Sequence, residues 1–417
     1  MHTRATRSIT RRGFVKSAAA AATAAAVFPH VGFGQASDRP LDVGVIGCGS
    51  RGTGAAENAV AADPKVRIVA LADIARDRLD ACRAHLKAKC AQEIEDSRCF
   101  AGPEAYKSLC ELKLDYVILA TPPYYRPVHF VAAVLSGKHV FMEKPIAVDA
   151  PGARTVLATG EAADRQKLCV VAGTQRRHHK GYIETIRRIH DGAIGQVVGG
   201  QIFWNQSQLW YRLREEGWSD SEWMHRDWVN WTWLSGDHVV EQHLHNIDVM
   251  NWVMRSHPVK ALAFGGRHRR VTGDQYDFFC GDLVWPGEVH VQTTCRQING
   301  CANAVGERVV GQSGQSNCNG WFSTTGKFEV ESPDPYVQEH KDLIDAIRSG
   351  QPLNETRNVA ESTLAAIMVR QSAYTGKEVT WEEVMASTEE LKAPDYELTP
   401  ENIRAHIPVP GSDSNKG

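Results

Sequence analysis

The sequence lacks the features that define several large functional classes. Its 47 basic side chains are balanced by 49 acidic ones, so there is no basic excess of the kind that accompanies nonspecific nucleic-acid binding. Hydrophobic residues make up 42% of the chain, which excludes the composition of a disordered protein. No repeat with a period of tens of residues is visible, which disfavours solenoids and propellers. The composition indicates a globular protein of two or three domains.

The ten cysteines form no C-x-x-C pair. Half of them, Cys48, Cys82, Cys90, Cys99 and Cys110, fall in the first third of the chain, where we expect them to pack in the core. Without paired cysteines the sequence carries no signal for a zinc or redox motif. We predict no metal.

The first 36 residues predict an export signal rather than part of the fold. Arg11 and Arg12 precede Lys16 and an alanine-rich run at 17–28, a pattern that resembles the twin-arginine type, with cleavage expected after Ala36. The apolar run of about 12 residues is too short for a bilayer span of about 20, and no later segment approaches that length. We therefore expect passage through the twin-arginine translocase, a periplasmic or otherwise exported location, and no integral membrane segment.

A glycine-rich turn indicates a dinucleotide site. It follows the apolar run 41–46 and precedes an alanine-rich helix, which is the context that the G-x-G-x-x-G pattern requires. In such turns the first glycine permits a tight bend, the second admits a pyrophosphate and the third allows close helix packing. The predicted cofactor-binding turn comprises Gly47, Gly49, Ser50, Arg51 and Gly52.

A second apolar strand, residues 66–72, ends in Asp73 about 20 residues after the last glycine of the turn. A carboxylate at this position accepts hydrogen bonds from the adenosine ribose and repels a 2′-phosphate, which predicts NAD. Two nearby basic side chains, Arg76 and Arg78, could hold a 2′-phosphate, so NADP stays an alternative.

Two later predicted strands end in unusual residues. Thr121 and Pro122 follow one strand, and Glu143, Lys144 and Pro145 follow the next. Ligands of parallel α/β sheets bind outside the carboxyl ends of the strands, so both segments are expected to face the nicotinamide half of the cofactor. Pro145 also keeps Lys144 out of helical geometry.

Together with His129, these motifs resemble the Gfo/Idh/MocA oxidoreductases in order and spacing. The resemblance implies an α/β protein: an N-terminal Rossmann domain with a parallel sheet, and a C-terminal α+β domain with an open, mainly antiparallel sheet. It implies that Lys144 contacts the substrate hydroxyl and assists catalysis. It also implies that Thr121, Pro122, His129, Glu143 and Lys144 contribute to the cofactor site, and that the protein is a homo-oligomer. The expected boundaries are 1–36 for the signal, 37–172 for the Rossmann domain, 173–400 for the substrate domain and 401–417 for a tail.

A helix predicted over residues 237–254 carries a stripe of ionisable side chains, His238, Glu241, His245 and Asp248. Such a stripe is costly beside a core unless it is used or paired. The family carries an aspartate, a histidine four residues later and an aspartate three beyond. Glu241 replaces the first aspartate here, which leaves the reach of its carboxylate open. The resemblance makes His245 the general base and Glu241 a further catalytic residue, and it places both in the substrate site together with Asp248.

Metal binding by the same stripe is the alternative. His238, Glu241 and His245 share one helix face, but they lack the His-Glu-x-x-His order, and hydride chemistry needs no metal.

Seven of the eleven tryptophans fall between residues 204 and 233. Indole faces with polar neighbours suit sugar rings, and tryptophan is also enriched at oligomer interfaces, so both roles stay open. We assign Trp231 to the substrate site. We also assign Arg176, which follows the predicted strand at residues 168–172, to that site.

The predicted activity is that of an NAD-dependent oxidoreductase acting on CH–OH groups of a sugar, polyol or sugar derivative. His245 takes the hydroxyl proton and Lys144 stabilises the alkoxide. Free nicotinamide cofactor is scarce outside the cytoplasm, so an exported enzyme is expected to hold its cofactor tightly. One alternative is an NAD-dependent glycosidase, lyase or epimerase with no net redox change. The family's glycosidase branch departs from Glu-Lys-Pro, so Lys144 favours the oxidoreductase. The other alternative is a non-catalytic sugar-binding protein.

Overall fold

The computed structural model describes residues 39–412, so the predicted export signal lies outside the described residues. A six-stranded sheet with every neighbouring pair parallel organises the first part of the chain. Its order is β3-β2-β1-β4-β5-β6, the order of a dinucleotide-binding Rossmann fold. The strand order reverses between β1 and β4, which opens a crevice at their carboxyl ends. The strands β1 to β6 are Leu41–Ile46, Val66–Asp73, Cys99–Ala101, Tyr116–Leu119, His139–Met142 and Val170–Ala172.

The strands of this sheet are apolar and buried on both faces, as expected for a parallel sheet covered by helices. The helices that follow the first five strands are Ser50–Ala62, Arg76–Cys90, Ala105–Glu111, Arg126–Leu135 and Ala150–Arg165. The predicted α/β architecture is confirmed. The short strand β3 was not predicted, because three residues are too few for a periodicity to show.

A nine-stranded sheet forms the second unit, in the order β14-β13-β12-β11-β7-β10-β9-β8-β15. Only the β7–β10 pair among these is parallel, so the sheet is mainly antiparallel, as predicted. One face packs on helices, and alternate residues of β8, such as Leu262 and Phe264, are exposed on the other. The strands β7 to β15 are Val197–Gln206, Lys260–Gly266, Phe278–Trp285, Val289–Gln297, Ala304–Gly311, Gly314–Ser316, Trp321–Phe322, Gly326–Lys327 and Val379–Thr380.

The helices of the second unit include one, Thr356–Thr375, that is buried along most of its length and contacts both units. Its fully buried Arg370 donates hydrogen bonds to the carbonyl oxygens of Val148, at 2.7 Å, and Gly236, at 3.0 Å. This guanidinium fixes the start of the predicted catalytic helix against the first unit. The other helices are Lys180–His190, Asp220–Arg226, Thr232–Ser235, His238–Glu241, Leu244–Met254, Pro335–Ser349, Trp381–Ala386 and Pro400–Ala405. No helix among residues 39–412 combines the length and apolar character that a bilayer span requires.

The prediction of one continuous helix over 237–254 is wrong. The structure has two helices, His238–Glu241 and Leu244–Met254. At the break, the amide of His243 donates to the carbonyl of His238, five residues back, and the amide of His245 donates to Gln242. The carbonyl of Glu241 is thereby released from the helical hydrogen-bond pattern. Local i→i+5 irregularities of this kind are frequent at functional sites.

Candidate functional site

A cavity of about 760 Å³ lies at the carboxyl ends of β1, β2 and β4. Its size is typical of a ligand pocket. At two positions of the turn, other backbone atoms lie so close that only glycine fits. A side chain on Gly47, whose φ is +98°, would meet the backbone of Ala120 at 2.6 Å, and one on Gly52 would meet the Gly47 oxygen at 1.8 Å. Eight predicted cofactor residues line the cavity: Gly47, Gly49, Ser50, Arg51, Asp73, Thr121, Pro122 and His129.

The helix Ser50–Ala62 begins at this cavity. No side chain caps its first turn, and the space around Gly49 is open for at least 4 Å. The uncapped amides and the positive end of the helix dipole therefore form a site for an anionic group. These residues fit the pyrophosphate of a dinucleotide.

Asp73, the last residue of β2, is held against the turn. Its carboxylate accepts hydrogen bonds from the backbone amides of Cys48, at 2.6 Å, and Ala75, at 2.8 Å. Arg76 is paired with Asp80 and is absent from the cavity lining, whereas Arg78 lines it. Of the two arginines that left NADP open, only Arg78 is therefore placed near the ribose position.

Arg126, which the sequence analysis missed, fixes the two strand-end segments. It is buried and donates to the carbonyl oxygens of Thr121, at 2.8 Å, and Pro145. Burial lowers its pKa to about 10, so the side chain stays charged at neutral pH. The Thr121 hydroxyl in turn contacts Nδ1 of His129 at 3.1 Å, and burial lowers the pKa of His129 to about 3.

Lys144 and Glu241 form a direct contact between the two units. Nζ of Lys144 lies 2.9 Å from Oε1 of Glu241 and also donates to the Glu241 backbone carbonyl that the helix break releases. Both side chains are about nine-tenths buried. The second carboxylate oxygen of Glu241 accepts from Nε2 of Gln242.

The ring of His245 stacks on Trp204 at a centroid distance of 5.5 Å and lies near enough to Lys144 for that charge to act on it. Among residues 39–412, no group hydrogen-bonds to either of its ring nitrogens. Burial holds its pKa well below the usual 6.5, and the positive charges of Lys144, Arg176 and Arg51 lower it further. The imidazole is therefore neutral at physiological pH and able to accept a proton.

The predicted cofactor residues Arg51 and Glu143 are paired with each other. Arg51 donates to the Glu143 carboxylate and, at 3.3 Å, to Glu339 on the helix Pro335–Ser349. Burial and the neighbouring Glu143 carboxylate raise the pKa of Glu339 well above its usual range. A side chain on Gly173 would meet Oε2 of Glu143 at 2.5 Å, which explains the glycine at the end of β6. This arrangement connects the dinucleotide cavity to Lys144, which does not itself line that cavity.

Three residues assigned to substrate are engaged elsewhere. The Asp248 carboxylate accepts bidentate hydrogen bonds of 2.8–3.1 Å from the Arg177 guanidinium. It accepts a further hydrogen bond from the Ser362 hydroxyl. Arg176 is paired with Glu307 beside Trp204. Trp231 is completely buried against other tryptophans, so its ring has no surface in a cleft. The structure brings Lys144, Glu241 and His245 together but leaves these three in supporting positions.

The stripe proposed as a metal alternative is also separated. The ring of His238 packs edge-on against Phe279, while Glu241 faces Lys144. Within 39–412, no three His, Cys, Asp or Glu side chains converge in a ligand arrangement.

Part of the tryptophan-rich stretch has a position that the sequence analysis did not foresee. The side chains of Trp210 and Trp228 line the dinucleotide cavity, although they belong to the second unit. They are joined there by Arg212, His225 and Arg226.

Comparison with known proteins agrees with this geometry. Residues 41–173 match the GFO_IDH_MocA model, described as an oxidoreductase family with an NAD-binding Rossmann fold. The chain is 25% identical over 214 residues to inositol 2-dehydrogenase of Paracoccus denitrificans, which covers 51% of this chain and 54% of that enzyme. It is 28% identical over 170 residues to a glycosyl hydrolase family 109 protein of Streptomyces coelicolor, covering 41% of this chain and 35% of that protein. The chain thus spans about half the length of the Paracoccus relative and less of the other.

The whole fold is also found in solved structures. Scyllo-inositol dehydrogenase from Lactobacillus casei, solved with NAD(H) and scyllo-inositol, superposes with a TM-score of 0.63 at 16% identity, over 82% of this chain and all of that one. At this identity the likeness shows the fold. The family match, the glycine turn and the cavity together confirm the predicted NAD-binding Rossmann fold: residues 41–173 match the NAD-binding domain of the Gfo/Idh/MocA oxidoreductase family.

Proposed function

We propose that this protein is an NAD-dependent oxidoreductase acting on a CH–OH group of a sugar, polyol or sugar derivative. One observation carries the proposal. Lys144, from the end of a Rossmann strand, and Glu241 and His245, from the second unit, form one buried cluster. The cluster is linked through Glu143 and Arg51 to the dinucleotide cavity.

The side chains of this cluster have complementary roles. Bound nicotinamide supplies the hydride acceptor. His245, kept neutral by burial and neighbouring cations, accepts the proton of the substrate hydroxyl. Lys144, whose positive charge acts on His245, stabilises the alkoxide that forms. Glu241 fixes the Lys144 ammonium in the position that contacts the hydroxyl.

The substrate class is supported by the polar character of the cluster. Lys144, Glu241, Gln242 and His245 supply donors and acceptors for a molecule rich in hydroxyl groups. The relatives named inositol 2-dehydrogenase point to the same class. Asp73 at the end of β2 favours NAD over NADP.

Export and assembly belong to the same proposal. The twin-arginine pattern supports transport in the folded state, followed by function outside the cytoplasm with a retained cofactor. The exposed Leu262 and Phe264 on the open face of the second sheet support a homo-oligomer built through that face.

A second candidate is a redox-neutral reaction, in which a transient oxidation assists elimination or glycosidic cleavage. The match to the family 109 glycosyl hydrolase protein of Streptomyces coelicolor favours it. Both candidates use the same cluster and differ in whether reduced cofactor accumulates.

The test is to purify the protein by its native export route, denature it and identify any dinucleotide released. The folded protein is then mixed with NAD and a panel of polyols, aldoses and glycosides. Accumulating reduced nicotinamide supports the oxidoreductase, and product without net reduction supports the second candidate. A protein that neither binds NAD nor transforms any compound of the panel contradicts both.

A further inference from the structure

A segment of the second unit crosses the dinucleotide cavity. Residues 207–230, here called the arm, leave the end of β7 and carry the short helix Asp220–Arg226. Five arm side chains form part of the cavity wall: Trp210, Arg212, His225, Arg226 and Trp228. The rest of that wall comes from the Rossmann domain, so the cavity is enclosed between the two.

The arm lies over the adenosine half of the cavity. Arg78, which follows Asp73, lines the same cavity. Burial lowers the pKa of Arg78, and the charges of Arg226 and Arg212 on the arm act in the same direction. The arm arginines therefore lie near the end of β2, where this fold binds the adenosine ribose.

Two contacts attach the arm to opposite rims of the cavity. On one rim, Arg226 donates to Asp77 at 2.9 and 3.3 Å. On the other, Nε2 of His225 lies 2.6 Å from the hydroxyl of Tyr125, in the segment that follows β4. The arm is thus fastened on both sides of the opening.

Hydrogen bonds within the arm fix the residues that face the cavity. The carbonyl of Trp210 accepts from Asn230 at 3.2 Å, and the carbonyl of Arg212 accepts from Nε1 of Trp223 at 2.8 Å. The amide of Arg212 donates to Asp227 at 2.7 Å. Such preorganisation lowers the entropic cost of binding a ligand.

The arm side chains that face the cavity are available to bind a ligand. Trp210 is 44% exposed and contacts Trp228 edge-on at a centroid distance of 6.2 Å, whereas Trp223 and Trp231 of the same stretch are buried. The guanidinium groups of Arg212 and Arg78 donate no hydrogen bond to any group within residues 39–412. An exposed indole and two uncommitted guanidiniums suit a purine ring and the oxygen atoms of its ribose and phosphate.

We propose that the arm forms the outer wall of the adenosine site and retains the dinucleotide, which leaves only after the Arg226–Asp77 and His225–Tyr125 contacts open. The inference rests on the dinucleotide site of the proposed function. It assigns Trp210 and Arg212, from the second unit, to cofactor binding, and it gives an exported enzyme a means of keeping its cofactor.

The first experiment measures the dissociation of NADH from the loaded full-length protein by fluorescence, with excess NAD as the chase. Trp210→Ala is expected to raise the dissociation rate roughly tenfold, the scale of a lost aromatic stack on a base. Arg226→Gln combined with His225→Phe is expected to raise it severalfold. Arg214→Ala is the matched control, because Arg214 pairs with Asp220 and the Trp218 carbonyl within the arm and does not line the cavity. It should dissociate at the wild-type rate.

A second measurement uses the unaltered protein. Trypsin cleaves after exposed arginines, and Arg212 and Arg214 are both exposed in the arm. ADP-ribose should slow cleavage there severalfold, whereas nicotinamide mononucleotide should not. If the variants release NADH at the wild-type rate, or if ADP-ribose leaves cleavage unchanged while NADH binds, the arm proposal is overturned and the proposed function stands. If NADH does not bind the wild-type protein at all, both fail.

Discussion

Lys144 binds Glu241 at two points, the carboxylate at 2.9 Å and the backbone carbonyl released by the helix break. A regular helix would have used that carbonyl to accept the amide of His245. The break therefore both binds the lysine and sets the position of the histidine.

Replacing the lysine tests its chemical role. Lys144→Met is expected to lower kcat by a factor of about 10² to 10⁴, the range for losing a group that acts on the hydroxyl in the transition state. NAD affinity should change little, because Lys144 does not line the dinucleotide cavity. Steady-state kinetics and NAD titration check both. Lys180→Met, an exposed lysine of the second unit, is the control. Wild-type turnover in Lys144→Met would remove the lysine from the mechanism.

The buried pair also makes a prediction about stability. Glu241→Leu leaves the Lys144 ammonium buried without its carboxylate, which typically costs about 3 kcal/mol of unfolding free energy. The double variant Lys144→Met with Glu241→Leu removes both charges and should recover most of that loss. Urea denaturation of the wild type, both single variants and the double variant gives the coupling. Additive losses would show that the two charges do not interact in solution.

The environment of His245 predicts a pH profile. Its pKa is held well below 6.5, so the neutral base predominates throughout the neutral range and is lost only in more acidic solution. We expect kcat/KM to be independent of this group between about pH 6.5 and 8 and to fall at lower pH. His245→Phe should be far less active and lack the acidic limb. An acidic limb centred at or above 6.5 in the wild type would contradict the assignment.

His129 predicts a pH dependence of stability. Its pKa is about 6.5 when unfolded and is lowered to about 3 in the native protein, so between these values the unfolded state binds more protons. Its contribution is therefore present above pH 6.5 and is lost as the pH falls. From pH 7 to 5 the loss is on the order of 2 kcal/mol. The stability gap between wild type and His129→Gln should narrow by that amount, as measured by urea denaturation at both pH values. A gap that does not change with pH would show that the pKa of His129 is the same in the native and unfolded states.

The Rossmann half of the site could be predicted because its requirements are local. A side chain at Gly52 would meet the Gly47 oxygen at 1.8 Å, so the glycines are fixed by the turn itself. The sequence also predicted the position of Thr121, because this residue directly follows a parallel strand, and Thr121 does line the cavity.

The second unit was less predictable, because the positions and contacts of its side chains depend on partners that are distant in sequence. Helical spacing placed Asp248 on the face of His245, but Arg177 and Ser362 occupy its carboxylate. No proline or glycine marks the break at Gln242, so the periodicity indicated an unbroken helix. Trp231 was taken for a sugar contact, and only tertiary packing shows that it is buried.

The position of the arm depends on similar long-range contacts. The tryptophan-rich composition indicated a recognition surface, but the Arg226–Asp77 and His225–Tyr125 contacts join residues far apart in the chain. No local pattern encodes such pairings. Arg126 was missed for the same reason, because an arginine at the start of a helix looks like surface charge until its two carbonyl partners are known.

The most direct test of the account is the transfer of deuterium from substrate carbon to bound dinucleotide in a single turnover. Protein loaded with NAD is mixed with inositols and aldoses deuterated at their carbinol carbons, and the dinucleotide is analysed by mass spectrometry. We predict deuterium on the nicotinamide ring in the wild type, and transfer slowed by a factor of about 10² or more in Lys144→Met and His245→Phe. Transfer at the wild-type rate in both variants would contradict the claim that this cluster carries the chemistry.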